Sequence, residues 1–297
     1  MLVADCGAVE KDATGKELVV HGDSLFPLAI YQDHLHILPV DWHWHEELEI
    51  IYQIEGEGLY AINDTKLILN EGEGLFINSE ALHGCWDTNL HYSEICSVVF
   101  HPRLLSSGNE SIFWQKYLEP FIHNPSFLFY HFHDDESEFA KDMKNIWEIC
   151  REGRDGYEFK ARNKLSDLIL FLCQKQSTRT VLPSAREIRN NERMKLMLNY
   201  IHNNYEKPIR VNDIAGSAMI SESECLRCFR EIIRTSPGQY LKHYRISKAC
   251  EQLKNSSRNI SQIGELCGFS DESYFVKQFR QEMGISPGAY RNQSAVK

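Results

Sequence analysis

The sequence is short of the features that would place it in a membrane or outside the cell. Its first residues, Met1 to Lys16, have no basic stretch followed by an apolar core, so no secretory signal is expected. No uninterrupted apolar run approaches the roughly 18 residues that a membrane helix needs. The nine cysteines are odd in number and scattered, which fits a reducing compartment better than a disulfide framework. Cys225 and Cys228 have the C-x-x-C spacing, but no second pair completes a zinc site. These absences make the cytoplasm the expected location, with no membrane partner.

What is present fits two soluble domains. The chain has 297 residues, 42% hydrophobic and 25% charged. Its net charge of -10 conceals an asymmetry. Met1 to Ala185 carries 14 Lys+Arg against 30 Asp+Glu, whereas Arg186 to Lys297 carries 18 against 12. An acidic front and a basic back point to modules with different partners, and a basic module is suited to nucleic acid.

The front reads as β structure. Leu48 to Ile54 is a β-branched and aromatic run, and EGEG at 55–58 supplies a turn. LYAIN, KLILN and LFIN follow with glycines between them, and Ser93 to Phe100 adds another strand. Short strands at roughly ten-residue spacing predict a sandwich or barrel. Asp134 to Arg151 and Phe159 to Lys175 then change to helical apolar spacing. These two helices either cover the open face of the barrel or form a dimer seam. The polar stretch at 176–189 reads as a linker. The expected division is 1–176, a linker at 177–190, and 191–297.

The back contains a duplication. FREIIRTSPGQY (Phe229–Tyr240) and FRQEMGISPGAY (Phe279–Tyr290) share Phe-Arg, Ser-Pro-Gly and Tyr at a spacing of fifty residues. Each copy follows a short helix pattern, VNDIAGSA at 211–218 or SQIGELCG at 261–268, then a turn. Helix, tight turn and second helix is the helix-turn-helix plan, whose second helix enters the DNA major groove. Pro237 to Lys254, as a helix of roughly 27 Å, can set two such recognition helices about one DNA turn apart.

From about Arg193 to Arg291 the chain resembles the AraC/XylS family of bacterial transcription regulators. The resemblance is carried by Ile214-Ala215, Ser221, Phe229, Ser236-Pro237 and Tyr240 in the first unit. In the second it is carried by Ile263, Gly268-Phe269, Ser273-Tyr274-Phe275, Phe279, Gly284, Ser286-Pro287 and Tyr290-Arg291. It implies that the first recognition helix presents Glu222, Ser223, Leu226 and Arg227 to DNA. The second would present Asp271, Glu272, Ser273, Tyr274 and Lys277, with Ser221 and Ser270 as helix caps near phosphates. Arg227 and Lys277 are the expected guanine or phosphate contacts. Arg245, on the joining helix, is placed either against phosphate or in packing. Glu222 and Glu224 make the first helix acidic, and Arg234 stands where the family has Gly, so the second unit is expected to dominate DNA reading. Cys225 and Cys228 lie in the first recognition helix, as packing residues or as a redox switch.

The front resembles the cupin sensor domain of many such regulators. His43, His45, Glu49 and Gly56 match H-x-H-x3-E-x6-G, although Ile37 replaces its leading Gly. Gly72 and His83 fit the second cupin motif, whereas Asn78, Glu80 and Asp87 replace its Pro, Gly and Asn. In one straight strand His43 and Glu49 would be about 20 Å apart, so a shared ion requires a turn near Glu46-Glu47. With His83 they form a His3Glu set suited to a divalent transition metal. The alternative is a metal-free pocket in which the same groups hydrogen-bond a small effector. Trp42, Trp44, Tyr52, Tyr60 and Trp86 are candidates for its walls.

The expectation is therefore an α+β chain, a cupin-like β-barrel with following helices and an all-α double helix-turn-helix. It would be a homodimeric regulator binding promoter DNA and a small effector, with sugars common among effectors in the family. RNA polymerase is a further candidate partner. The alternatives are a metal- or redox-sensing regulator and a cupin enzyme with a DNA-binding tail.

Overall fold

A computed structural model describes residues 19–35, 40–87, 92–106, 108–133, 137–176 and 184–294. Ile37, most of the expected linker (177–183) and the first eighteen residues lie outside these. The described chain divides into two compact units, with the division in the chain between Arg189 and Asn190. Among the described residues no helix is long and apolar enough to cross a membrane.

The first unit is built from two antiparallel sheets. The strands are β1 (Leu28–His34), β2 (Val40–His43), β3 (Leu48–Glu55), β4 (Glu57–Ile62), β5 (Thr65–Asn70), β6 (Gly74–Ile77), β7 (His83–Asp87), β8 (Glu94–Phe100) and β9 (Phe129–Phe132). One sheet has the order β1-β8-β3-β6-β9 and the other β2-β7-β4-β5. No ladder joins them among the described residues, so the expected barrel is instead an open pair of facing sheets. The sequence expectation found β3 to β6 and β8. It missed β1, β2, β7 and β9, whose runs carry few β-branched residues.

The pleat sorts each strand into two faces. Leu35, Ile51, Tyr60, Ile62, Leu75, Ile77, Cys85 and Ile95 form the core between the sheets. Leu28, Ile30, Leu48, Ile50, Phe76 and Val98 point the other way. That outer face is covered by α1 (Glu119–Ile122), α2 (Ser137–Glu152) and α3 (Tyr157–Gln176) through Phe121, Ala140, Met143, Ile146, Trp147, Leu165 and Leu168. The helices therefore cover a sheet, as one expectation held. They do not close a barrel.

The second unit is helical: α4 (Ala185–Asn204), α5 (Val211–Ser217), α6 (Glu222–Cys228), α7 (Pro237–Asn255), α8 (Ile260–Leu266), α9 (Glu272–Met283) and α10 (Pro287–Ser294). Helix α4 begins inside the expected linker, at Ala185. Ser184 caps it, its hydroxyl accepting from the Glu187 amide while Glu187 reaches back to the Ser184 N–H. Ser221, Ser236 and Asn259 cap α6, α7 and α8 in the same manner. Phe229, Phe275 and Phe279 are fully buried, which explains the recurring Phe at the end of each second helix.

Arg234 corrects one expectation. The first unit's second helix, continued by a π-helical turn over Phe229–Ile233, ends on Arg234 at φ 61°, and α9 ends on Gly284 at φ 73°. Both units stop in the left-handed conformation, and arginine tolerates it at a cost of about 1–2 kcal/mol that glycine avoids. Arg234→Gly is expected to stabilise the protein by about 1 kcal/mol, visible as a higher urea midpoint with unchanged slope. A lower midpoint would refute this account of the helix end.

Candidate functional site

Four side chains converge between the sheets of the first unit. β2 ends at His43, the chain bends at Glu46-Glu47, and β3 returns with Glu49 on its inner face. His83 opens β7 directly opposite His43 in the register. His43, His45, Glu49 and His83 are all buried, and their ligand-type atoms lie within 4.8 Å of one another. The turn that the spacing demanded is where it was expected.

The imidazoles are oriented by the backbone. Nδ1 of His43 donates to the Asp41 carbonyl at 2.8 Å, Nδ1 of His45 to Glu47 at 3.1 Å, and Nδ1 of His83 to Ala81 at 2.7 Å. A carbonyl can only accept, so each Nδ1 carries a hydrogen, and Nε2 is the ring atom that can carry a second proton or meet a metal. His83 Nε2 stands 3.1 Å and His45 Nε2 3.5 Å from the same Glu49 oxygen, Oε2. Lone pairs facing a carboxylate repel unless a proton or a metal ion stands between them. Burial would raise the Glu49 carboxyl, but hydrogen bonds from His45 and His83 outweigh it and hold it well below the usual carboxylate range. The donor set of three nitrogens and one oxygen, each nitrogen held from behind by a carbonyl, fits a divalent transition metal.

The departures from the second cupin motif have local explanations. Asn78 donates through Nδ2 to the Phe121 and Phe127 carbonyls, at 3.1 and 2.8 Å, and so ties down the chain around α1. Glu80 adopts φ 60°, the left-handed conformation that explains the motif's glycine, and its N–H donates to the His45 carbonyl at 2.8 Å. Gly56 is retained where a Cβ would come within 2.2 Å of the Tyr92 carbonyl. Asp87 ends β7.

The expected aromatic walls are mostly elsewhere. Tyr52 lies on the outer face of β3, packed against the helix-side core with Lys144 over its ring. Trp44 alternates away from His43 and His45. Trp42 packs against Trp86, their ring centroids 5.4 Å apart and their planes tilted by 58°, on the outer face of the four-stranded sheet. Of these five aromatics, Tyr60 alone belongs to the core between the sheets. Sequence reading also missed His21, which is buried with its ring 5.5 Å from that of His45 and hydrogen-bonded to Tyr31 Oη at 2.8 Å. No spacing signal pointed to it, because it precedes the first strand.

The helical unit presents a second candidate surface. On α9, Phe275, Gln278 and Phe279 are buried, while Glu272, Ser273, Tyr274 and Lys277 are exposed. Arg280 and Gln281 extend this face beside Ser273 and Lys277, and sequence reading missed them although they follow Lys277 at three and four residues. Asp271, expected to read bases, instead caps α9 by accepting from the Tyr274 N–H at 2.7 Å. Ser270, expected as the cap, precedes it and is exposed.

On α6, Glu222, Ser223 and Leu226 are exposed. Ser221 caps the helix as expected, accepting from the Glu224 N–H at 3.2 Å. Arg227 does not stand free: Glu224 Oε1 accepts from Arg227 at 3.1 Å and from Arg193 at 2.9 Å. Arg245 is placed in packing. It donates to the Tyr205 and Lys207 carbonyls at 2.7 and 2.8 Å and lies over the Phe269 ring.

The first unit matches the model of the AraC-like ligand binding domain over residues 28–169, and the second a helix-turn-helix domain over 214–293. The chain belongs to the AraC family of transcription regulators. Curated relatives align with most of its length. The transcriptional regulator YdeC of Bacillus subtilis is 28% identical over 96% of this chain and 98% of its own. The transcriptional activator RhaR of Pectobacterium carotovorum is 23% identical over 86% and 87%. Among solved structures, a Chromobacterium violaceum AraC-type regulator is 30% identical over 35% of this chain and 92% of that one, with a TM-score of 0.34. ToxT of Vibrio cholerae is 12% identical over 91% and 98%, with a TM-score of 0.47. This AraC-family chain is thus a DNA-binding regulator with a ligand-binding domain.

Cys225 and Cys228 are both fully buried, and burial pushes the Cys225 thiol up to about 11 and raises that of Cys228. Neither presents a thiolate at neutral pH, so DNA affinity is expected to be the same in mild peroxide and in reductant. For DNA contact, the probe is a duplex selected by the full chain from a random pool. Lys277→Ala and Arg280→Ala should each weaken its binding and reduce the salt slope by about 1. Arg245→Ala should leave that slope unchanged while lowering stability by about 2 kcal/mol, because two carbonyls lose a charged donor. An altered slope in Arg245→Ala would reinstate it as a phosphate contact.

Proposed function

We propose that this regulator reports a small effector through a metal held by His43, His45, Glu49 and His83. The observation that carries the reading is the common orientation of the three imidazoles. Their Nδ1 atoms are spent on backbone carbonyls, the Nε2 atoms of His45 and His83 meet the buried Glu49 carboxylate, and a His43 nitrogen lies within 4.8 Å of them. Such an ion supplies Lewis-acid coordination for a polar ligand, for which a hydroxylated molecule such as a sugar is the proposed class. His21 and Tyr31 extend the polar lining beside His45. The role is recognition and not turnover: the chain carries a DNA-reading helix, and its relatives are named as transcription regulators.

The proposed assembly is a cytoplasmic homodimer on promoter DNA, with RNA polymerase as the downstream partner. Helix α3 supports the dimer, since Phe159 and Leu170 are 71% and 47% exposed and stand about three turns apart on one side of the helix. Effector binding would favour one arrangement of the paired helix-turn-helix units over another.

Metal analysis of the full chain purified without chelator tests the reading. His83→Ala is expected to lose about one equivalent of metal relative to the unaltered protein. A thermal-shift screen of sugars on metal-loaded protein should then raise the midpoint for a ligand that His83→Ala does not answer. If His83→Ala loses no metal but still loses the ligand response, the same residues bind the effector directly. Loss of neither refutes the site.

A further inference from the structure

The inner face of the five-stranded sheet carries a second group of ligand-type side chains. Glu73 leads into β6, and His131 and His133 lie on and just after β9, the edge strand paired with β6. His131 stands opposite Leu75, so the period of two brings Glu73, His131 and His133 to one face. Nε2 of His131 is 3.0 Å from Oε2 of Glu73, and Nδ1 of His133 is 3.8 Å from Oε1. The two imidazole centroids are 3.9 Å apart, and the three donor atoms lie within 4.8 Å of one another. Donors on one tetrahedral ion, each at about 2.1 Å, are about 3.4 Å apart. The two imidazole nitrogens lie at 3.0 and 3.8 Å from one or other Glu73 oxygen, so small side-chain rotations bring the three donors to that spacing.

The carboxylate is also held from behind. Glu73 Oε2 accepts from the Asn70 backbone N–H at 2.8 Å and from the Asn70 side-chain amide at 3.1 Å. Outer partners of this kind orient metal ligands. Glu73 is buried, whereas the His133 side chain is 65% exposed, so the group has an entry path from solvent and room for water as a further ligand.

We propose that Glu73, His131 and His133 form a second divalent transition-metal site, of the two-imidazole, one-carboxylate kind that takes Zn2+ and leaves positions open. It is independent of the Glu49 group. Glu49 stands beside Ile77 on β3 and β6, and Glu73 stands four residues before Ile77, about 13 Å away along the strand. An ion there takes the place of the proton between His131 and Glu73, which shifts from Nε2 to Nδ1 of the same ring, so that His131 ligates as a neutral imidazole. It joins the turn before β6 to the edge strand β9, and so fixes the end of the sheet from which the chain proceeds to α2.

The test is a Zn2+ titration of the chelator-stripped full chain against a chromophoric chelator. The unaltered protein is expected to bind one equivalent more than the His131→Ala/His133→Ala double variant. His133→Ala alone should weaken that equivalent at least about 100-fold, beyond the loss of a mere outer partner. Zn2+ should also raise the melting midpoint of the unaltered chain more than that of either variant. His83→Ala should leave this equivalent in place, which separates the two sites. If the double variant does not fold, His133→Ala decides, because its ring is largely exposed. Equal stoichiometry and affinity in the unaltered chain and in His133→Ala overturn the proposal.

Discussion

A β-strand must send successive side chains to opposite faces, and the sensor unit of this regulator depends on that constraint. On β3 the even-numbered Leu48, Ile50 and Tyr52 meet the helices, while Glu49, Ile51 and Gln53 face the second sheet. A one-residue slip would put a carboxylate into the helix-side core and leave three buried imidazoles without it. The apolar pairs on both faces therefore hold the polar cluster in register, and the polar cluster makes any other register costly. Burying Glu49 is tolerable because the His45 and His83 imidazoles arrive with it. Breaking such a buried set by removing one partner costs about 3–5 kcal/mol.

The helical unit solves a different problem, the display of polar groups on a rigid support. Phe275 and Phe279 anchor α9, and Asp271 secures its first turn. Ser273, Lys277 and Arg280 are thereby left on a fixed surface suited to a major groove. On α6, Glu224 holds Arg227 and Arg193 together. An arginine already paired with a carboxylate gives up that pair before it reads a base. The asymmetry between the two units is electrostatic, because both end in the same left-handed turn.

Much of this was legible in the chain itself. The fifty-residue repeat predicted the paired helix-turn-helix, because glycine, proline and serine at helix ends act locally and leave the same marks twice. The H-x-H-x3-E spacing required a turn before Glu49, because strand rise alone keeps His43 and Glu49 too far apart. Ser221 was legible as a cap for a similar reason: a cap bonds only to an amide two or three residues away.

What the sequence could not decide depends on groups far apart in the chain or on which way a side chain faces. Tyr52 and Trp42 looked like pocket walls, and the pleat turned them outward. Arg245 looked as ready for a phosphate as for packing, and in the fold it donates to the carbonyls of Tyr205 and Lys207, about forty residues away. The link of His21 to His45, and that of Glu73 to His131 and His133, exist only once strands distant in sequence are paired. Local periodicity and spacing determined the elements and the type of chemistry. Strand pairing across the sheets decided which side chains meet, because a contact between distant segments is set by the packing of the whole sheet.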